Sequence, residues 1–245
     1  SPEINNNPSV RHILTFSRQP FLDYTQTMFI DKIICDLDDT IYPADSGVWD
    51  AIGDRINEFI LQHLPLRPEE VIPLRDEYFH QYGTTLRGLQ IRYQINPHEY
   101  LAFVHDIPLE DYLLPIPELH SALQTIPLPK VIFTNSDRNH AKRVLDHLGV
   151  ADCFEEIIDV LDLSPYCKPM PESFDILISK VGSPPQRLML LEDSIRNLNA
   201  AQAMGFVTVQ VGGQNRNNRH PYIASILDLP TLFTPDFSLQ LEQAT

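Results

Sequence analysis

Cysteine, glycine and basic residues are all scarce in this chain of 245 residues. The three cysteines, Cys35, Cys153 and Cys167, are odd in number and show no C-x-x-C spacing. That argues against a disulfide framework and against a zinc site built on paired cysteines. Reduced thiols in a cytoplasmic setting are the expectation. Lys and Arg total 18 against 33 Asp and Glu, a net charge of -15. So acidic a surface repels phosphate backbones, which disfavours a nucleic acid polymer as partner. It does not disfavour a small phosphorylated ligand, because one metal ion or one lysine can invert the local field. No apolar run approaches the roughly 18 residues of a membrane span, so no membrane partner is expected. With 9 glycines and 21 prolines, the loops are expected to be stiffened by proline.

What is present alternates. Residues 1–27, with Asn5, Asn6 and Asn7, show no clear period and no basic start followed by an apolar run and cleavage site. They are expected to form a peripheral arm or an appended remnant, with the folded unit beginning at Met28. Ile30 to Cys35, Val131 to Phe133, Leu188 to Leu191 and Val207 to Val211 read as strands covered on both faces. Ile157, Ile158 and Val160 suggest a further strand. Asn139 to Leu148, Pro171 to Val181 and Ser194 to Met204 carry apolar residues at helical spacing. The alternation predicts a doubly wound, Rossmann-like α/β fold with a parallel sheet. From Ala44 to about Ile126 the pattern is helical throughout, with Val48, Ile52, Ile56, Phe59 and Ile60 on one face and Tyr100, Phe103 and Val104 on another. Pro68 suits a first turn, and Pro73 is expected to kink or split its helix. The predicted organisation is a core over 28–44 and 127–235 with a helical cap inserted over 45–126.

Chemistry gathers at the strand ends, where ligands bind in such sheets. The first strand ends in Asp36-Leu37-Asp38-Asp39-Thr40. Carboxylates this close repel unless a cation lies between them, which suggests an oxygen-ligated divalent ion such as Mg²⁺. An acidic turn or helix cap is the alternative for an isolated DxD. The second strand ends in Thr134-Asn135-Ser136-Asp137, an anion site at a helix start or a plain cap by Ser136 or Asp137. Lys168, in Cys167-Lys168-Pro169, would by itself be a solvated charge. The fourth run ends in Glu192-Asp193-Ser194, acids again, or a helix cap. His140 and His147 lie on one helix face without metal or triad partners and read as surface or packing residues. Trp49 reads as core, and Tyr42 and Pro43 as a linker into the cap.

Taken in order, these four clusters resemble the motifs of the haloacid dehalogenase superfamily. The resemblance implies a core with an inserted helical cap of the C1 type. It implies Asp36 as the nucleophile on phosphorus and a Mg²⁺ ligand, and Asp38 as the acid that protonates the leaving group and then activates water. Thr134 and the Asn135 N–H would hold the phosphoryl group, and Lys168 would offset its charge. Asp193 would bind the metal, with Glu192 direct or through water and Asp38 contributing its main-chain carbonyl. An acid at position 38 points to phosphatases and phosphomutases within that superfamily. DLDDTIYPADSG over 36–47 and GTTLRGL over 83–89 are similar to the pyrimidine 5′-nucleotidase family, which implies a nucleoside monophosphate as partner and substrate-facing roles for Thr84, Thr85 and Arg87. A phosphatase or mutase acting on sugar phosphates or phosphoglycolate stays open, as does a non-catalytic binding protein on the same fold.

Overall fold

The computed structural model describes residues 13–16, 26–213, 219–233 and 238–239. In chain order the elements are β1 (Ile13–Phe16), β2 (Gln26–Phe29), β3 (Lys32–Cys35), α1 (Val48–His63), α2 (Pro68–Tyr82), α3 (Thr85–Tyr93), α4 (Pro97–Val104), α5 (Pro117–Gln124), β4 (Lys130–Phe133), α6 (Arg138–His147), β5 (Glu156–Ile158), α7 (Pro171–Val181), β6 (Leu188–Glu192), α8 (Ile195–Ala203), β7 (Val207–Val211), β8 (Tyr222–Ile223) and β9 (Ser238–Leu239). Each apolar run of the core has become a strand, with bounds that match, as for Val207–Val211, or differ by a residue or two. Met28 lies in β2, which pairs antiparallel with β1, and β9 joins them in a separate three-stranded sheet.

The main sheet has six strands in the order β5-β4-β3-β6-β7-β8, all parallel. The chain runs outward from β3 through β4 to β5, then returns to lay β6 on the other side of β3. Where strand order reverses, the crossover loops part and leave a crevice at the carboxyl ends. The acids that follow β3 and end β6 therefore meet at that point.

Alternation of side chains gives the sheet two buried faces. Ile34, Val131, Phe133, Leu188 and Leu190 pack with Phe174 and Leu177 of α7 and Leu198 and Ala201 of α8. Ile33, Cys35, Ile132, Met189 and Leu191 belong to the opposite core, with Ala141, Val144 and Leu145 of α6. These are the strands of a sheet with helices on both sides. The fold is α/β and Rossmann-like. Among the described residues no helix is long and apolar enough to cross a membrane.

Among the described residues, 45–126 hold helices and short 3-10 turns without a strand. Val48, Ile52, Ile56, Phe59 and Ile60 are the buried face of α1, as their spacing predicts. Pro68 occupies the first turn of α2. Pro73 does not split that helix, the stronger of the two expectations, and α2 runs on to Tyr82. Pro73 and its neighbour Ile72 are solvent-exposed, so the carbonyl left without its N–H partner can be hydrated. The last helix, α5, packs on the 3-10 segment Ile226–Phe233 next to the sheet.

Two glycines hold the geometry of this helical segment. Gly83, at φ +88°, joins α2 to α3, and a Cβ there would lie 2.8 Å from Cys167 Sγ and 3.2 Å from the Lys168 carbonyl oxygen. Gly88 lets α3 approach α2 so closely that a Cβ would lie 2.3 Å from the Tyr78 ring. Gly88→Ala improves helix propensity by about 1 kcal/mol, but overpacking at that distance exceeds the gain. A net destabilisation of about 2 kcal/mol is expected, measured by urea unfolding. An alanine chain as stable as the parent would contradict this packing.

Candidate active site

The site is centred on a buried ammonium. Lys168 is 1% exposed, and its Nζ lies 2.5 Å from Asp36 Oδ1, 2.8 Å from Glu192 Oε2 and 2.8 Å from the Phe133 carbonyl oxygen. Those partners stand at the ends of β3, β6 and β4, so one side chain ties three strands together. The loop that delivers it is clamped by Asn135, whose Oδ1 accepts from the Lys168 N–H at 2.9 Å and whose Nδ2 donates to the Lys168 carbonyl at 3.0 Å. Asn135 thus acts here through its side chain, beyond the N–H contact implied by the motif. Lys168, read alone as a solvated charge, is the reverse of one.

Carboxyl groups crowd round this ammonium. Oxygens of Asp36, Glu192 and Asp193 all lie within 4.8 Å of one another. Burial, and then the neighbouring Glu192 charge, push Asp36 up to about 7. Burial also raises Glu192 to about 7 and Asp193 to about 6, the latter with help from the Asp36 charge. Asp39 is pushed up to about 7 by burial and by the charges of Asp38 and Asp36. It sits at φ 61°, and its buried Oδ1 has no hydrogen-bond partner among the described residues. A hard divalent cation fits this donor set, since it would relieve the repulsion between oxygens already gathered at one place. The Glu192 oxygens are both occupied, Oε2 by Lys168 and Oε1 by the Ser194 N–H at 3.2 Å. Asp193 is the freer ligand.

Asp38 is treated differently. Burial would raise it, but the His140 ring and hydrogen bonds from His140, Ser136 and Tyr42 outweigh burial and hold it below the usual carboxylate range. Tyr42 Oη donates to Oδ1 at 2.6 Å, Ser136 Oγ to Oδ2 at 2.6 Å, and His140 Nε2 lies 2.8 Å from Oδ1. Sequence reasoning missed two of these. Tyr42 was expected only to shape a linker, and His140 to be a surface or packing residue. His140 is instead buried against the catalytic candidate, 1% exposed. The signal was its place three residues after the helix cap Asp137, which turns it back toward the strand ends. Thr134 is buried beside them, its Oγ1 accepting from the Ser136 N–H at 2.9 Å, which leaves the hydroxyl hydrogen to donate.

Above these groups lies a cavity of about 640 Å³. Asp36, Asp38, Asp39, Thr134, Asn135, Lys168, Glu192 and Asp193 line its floor, and Trp49, Ile52, Ile56, Phe79, Tyr100 and Val104, all from the helical segment, its other side. Trp49, expected in the core, is 47% exposed at this cavity. Of the three cap residues singled out, Thr84 and Thr85 line the cavity, whereas Arg87 does not and faces a separate crevice with Gln90 and Pro97. The reason is helical phase: Thr84 is the N-cap of α3, its Oγ1 accepting from the Arg87 N–H at 3.1 Å, and Arg87 falls on the far side of the first turn. Arg196, in α8, reaches α2 at the rim, donating to the Phe79 carbonyl at 3.1 Å with its guanidinium 4.0 Å from the centre of the Phe79 ring.

The raised acids have a measurable consequence. In the unfolded chain they lose their protons near about pH 4, whereas in the folded, metal-free chain they keep them to about 6–7. The folded state binds more protons between these limits, so its stability falls as pH rises through that window. Asp38 works in the opposite sense below about pH 4, and His105 and His220, which burial holds below the usual imidazole range, do so below about pH 6.5, but the raised acids outnumber them. The Tm of the EDTA-treated protein is expected to fall from pH 5 to pH 8, and Mg²⁺ to raise it more at pH 8. A Tm independent of both would contradict the carboxyl cluster.

Comparison with known proteins gives a consistent result. A family model described as haloacid dehalogenase-like hydrolase matches residues 30–205. Phosphate metabolism protein 8 of Saccharomyces cerevisiae is 29% identical over 185 residues, 69% of this chain and 58% of that protein. The fructose-1-phosphate phosphatase YqaB of Escherichia coli is 29% identical over 83 residues, 34% of this chain and 44% of that protein. The chain thus spans less than two thirds of the length of either relative. L-2-haloacid dehalogenase of Xanthobacter autotrophicus shares the fold with a TM-score of 0.56 at 16% identity, over 83% of this chain and 98% of that one. The HAD-hydrolase YfnB of Bacillus subtilis, a structure bound to magnesium, gives 0.55 at 17% over the same shares. The family model covers well over half of the chain, and the protein belongs to the haloacid dehalogenase-like hydrolases.

Proposed function

We propose that the protein is a Mg²⁺-dependent phosphomonoesterase acting through a phosphorylated Asp36, with pyrimidine nucleoside 5′-monophosphates as its substrates. The observation that carries this reading is the pairing of Lys168 with Asp36 and Glu192 at the floor of the cavity. A carboxylate held by an ammonium at the bottom of a pocket is aimed and available for attack on an electrophile. Asp36, Asp193 and the Asp38 main-chain carbonyl, with Glu192 direct or through water, would hold Mg²⁺, which when bound supplies the positive charge that balances a phosphate dianion.

The remaining roles belong to the chain itself. Asp36 attacks phosphorus as the bond to the leaving oxygen breaks, and Asp38 gives that oxygen a proton. The phosphate's negative charge beside Asp38 raises its proton affinity from the low value of the empty site. Asp38 then takes a proton from the water that displaces Asp36 from phosphorus. The Thr134 hydroxyl and the Lys168 ammonium steady the charge on the phosphoryl oxygens. The intact set of Asp36, Asp38, Thr134, Lys168 and Asp193 speaks against a non-catalytic binding protein.

Substrate choice rests with the cap, because the floor meets only the phosphoryl group. Its apolar and aromatic lining suits the faces of a planar base, and the Thr85 hydroxyl offers a hydrogen bond to a ribose or base edge. The likeness of DLDDTIYPADSG and GTTLRGL to pyrimidine 5′-nucleotidases agrees. A sugar-phosphate phosphatase is the second reading, favoured by the relative named for fructose 1-phosphate. Reduced, buried Cys35 and Cys167 accord with a cytoplasmic location.

Asp36→Asn should abolish turnover, and EDTA should do the same until Mg²⁺ is returned. Near-normal phosphate release from the pure Asn chain would sink the mechanism. UMP and CMP should be hydrolysed with higher kcat/KM than AMP, GMP or fructose 1-phosphate. Thr85→Ala should lower kcat/KM for the nucleotides by about 1–2 kcal/mol in barrier terms, while Arg87→Ala, outside the cavity, should change little. Equal rates across these substrates would favour the sugar-phosphate reading.

A further inference from the structure

His140 is buried, and its ring is held from both sides. Its Nε2 is 2.8 Å from Asp38 Oδ1 and its backbone N–H donates to Asp137 Oδ1 at 2.8 Å. The ring stacks on His105, with centroids 4.3 Å apart and planes 18° from parallel. His105 Nδ1 in turn lies 2.9 Å from Asp137 Oδ2. Asp137, the cap of α6, thus fixes both rings, one through its backbone and the other through its side chain. Among the described residues, the buried His140 Nδ1 has no partner. Leaving a ring nitrogen unsatisfied is unfavourable, so simple packing is a poor account of a histidine here. The contact with Asp38 is what the imidazole adds.

The two oxygens of Asp38 differ in consequence. Oδ1 is engaged by both Tyr42 and His140, whereas among the described residues Oδ2 has only the Ser136 hydroxyl. A serine hydroxyl rotates and can accept as readily as donate. We propose that His140 is a positioning residue that pins Asp38 Oδ1, so that Oδ2 is the oxygen carrying the proton to the leaving group. The inference rests on the phosphoryl-transfer reading above. As the P–O bond to the leaving group breaks and the Asp36–phosphorus bond forms, Oδ2–H passes its proton to the departing oxygen. When water attacks phosphorus and the Asp36–phosphorus bond breaks, Oδ2 recovers a proton from that water. Oδ1 remains an acceptor throughout.

The test is dependence on the leaving group. 4-Nitrophenyl phosphate departs as a stable anion and needs little protonation, while phenyl phosphate needs the proton. His140→Ala is expected to lower kcat/KM by about 10²-fold on phenyl phosphate and under about threefold on 4-nitrophenyl phosphate, within the range of a general acid's contribution. His140→Gln, with an amide N–H at a similar reach, should recover most of the loss. Should the alanine chain fail to fold, His140→Asn, whose amide is too short to reach Asp38, makes the same comparison. An equal loss on both esters, or no loss on either, would overturn the positioning role. An Asp36→Asn chain that still hydrolyses 4-nitrophenyl phosphate would instead overturn the phosphoryl-transfer reading, whatever His140 does.

Discussion

The ammonium of Lys168 is the constraint on which the rest of the structure depends. A buried lysine is tolerable only when all three of its protons find acceptors, and here they do, on Asp36, Glu192 and the Phe133 carbonyl. Those acceptors lie at the ends of three neighbouring strands, so satisfying one cation also sets the spacing of the site. The converse holds as well. Without that charge, Asp36 and Glu192 would face each other across a desolvated floor with nothing between them. Asn135 matters for the same reason, since its two bonds to the Lys168 backbone place the loop that carries the ammonium.

Around this point the structure separates two carboxylates of the same short motif. Asp36 lies among other acids and is pushed up to about 7. Asp38 lies among donors and is held low. Two groups with opposed environments can take two roles, one aimed at phosphorus and one managing protons. The helical segment over 45–126 supplies none of this chemistry. It contributes an apolar roof, with Arg196 and Phe79 joining the two parts at the rim.

Much of this was legible in the sequence, and the limits have physical causes. The strands were readable because both faces of each are buried, which leaves uninterrupted apolar runs such as Ile33-Ile34-Cys35. Asp36, Asp38, Thr134, Glu192 and Asp193 were readable because each follows or ends such a run, and the topology brings strand ends together, whereas Lys168, in a loop after Cys167, was readable only through the order of the motifs. His140 and Tyr42 were not: His140 is 102 positions from Asp38 and meets it only through the fold, while Tyr42, four positions on, was read as a linker because a motif does not report which way its side chain turns. Arg87 was misplaced because a loop motif does not report which way its residues turn once α3 begins at Thr85. Pro73 was overrated as a breaker because an exposed helix face can hydrate the carbonyl it frees. Trp49 was assigned to the core on residue type alone, and a cavity wall uses the same residue type.

The central claim is that the Lys168-held carboxylate of Asp36 forms a bond to phosphorus. Acid quenching of the Mg²⁺-loaded protein during turnover, followed by borohydride reduction, converts a phosphorylated aspartate to homoserine. Peptide mass spectrometry should then find homoserine at position 36 and unmodified aspartate at 38, 39 and 193. Turnover that leaves position 36 as unmodified aspartate, with homoserine at another carboxylate or none at all, would contradict the account.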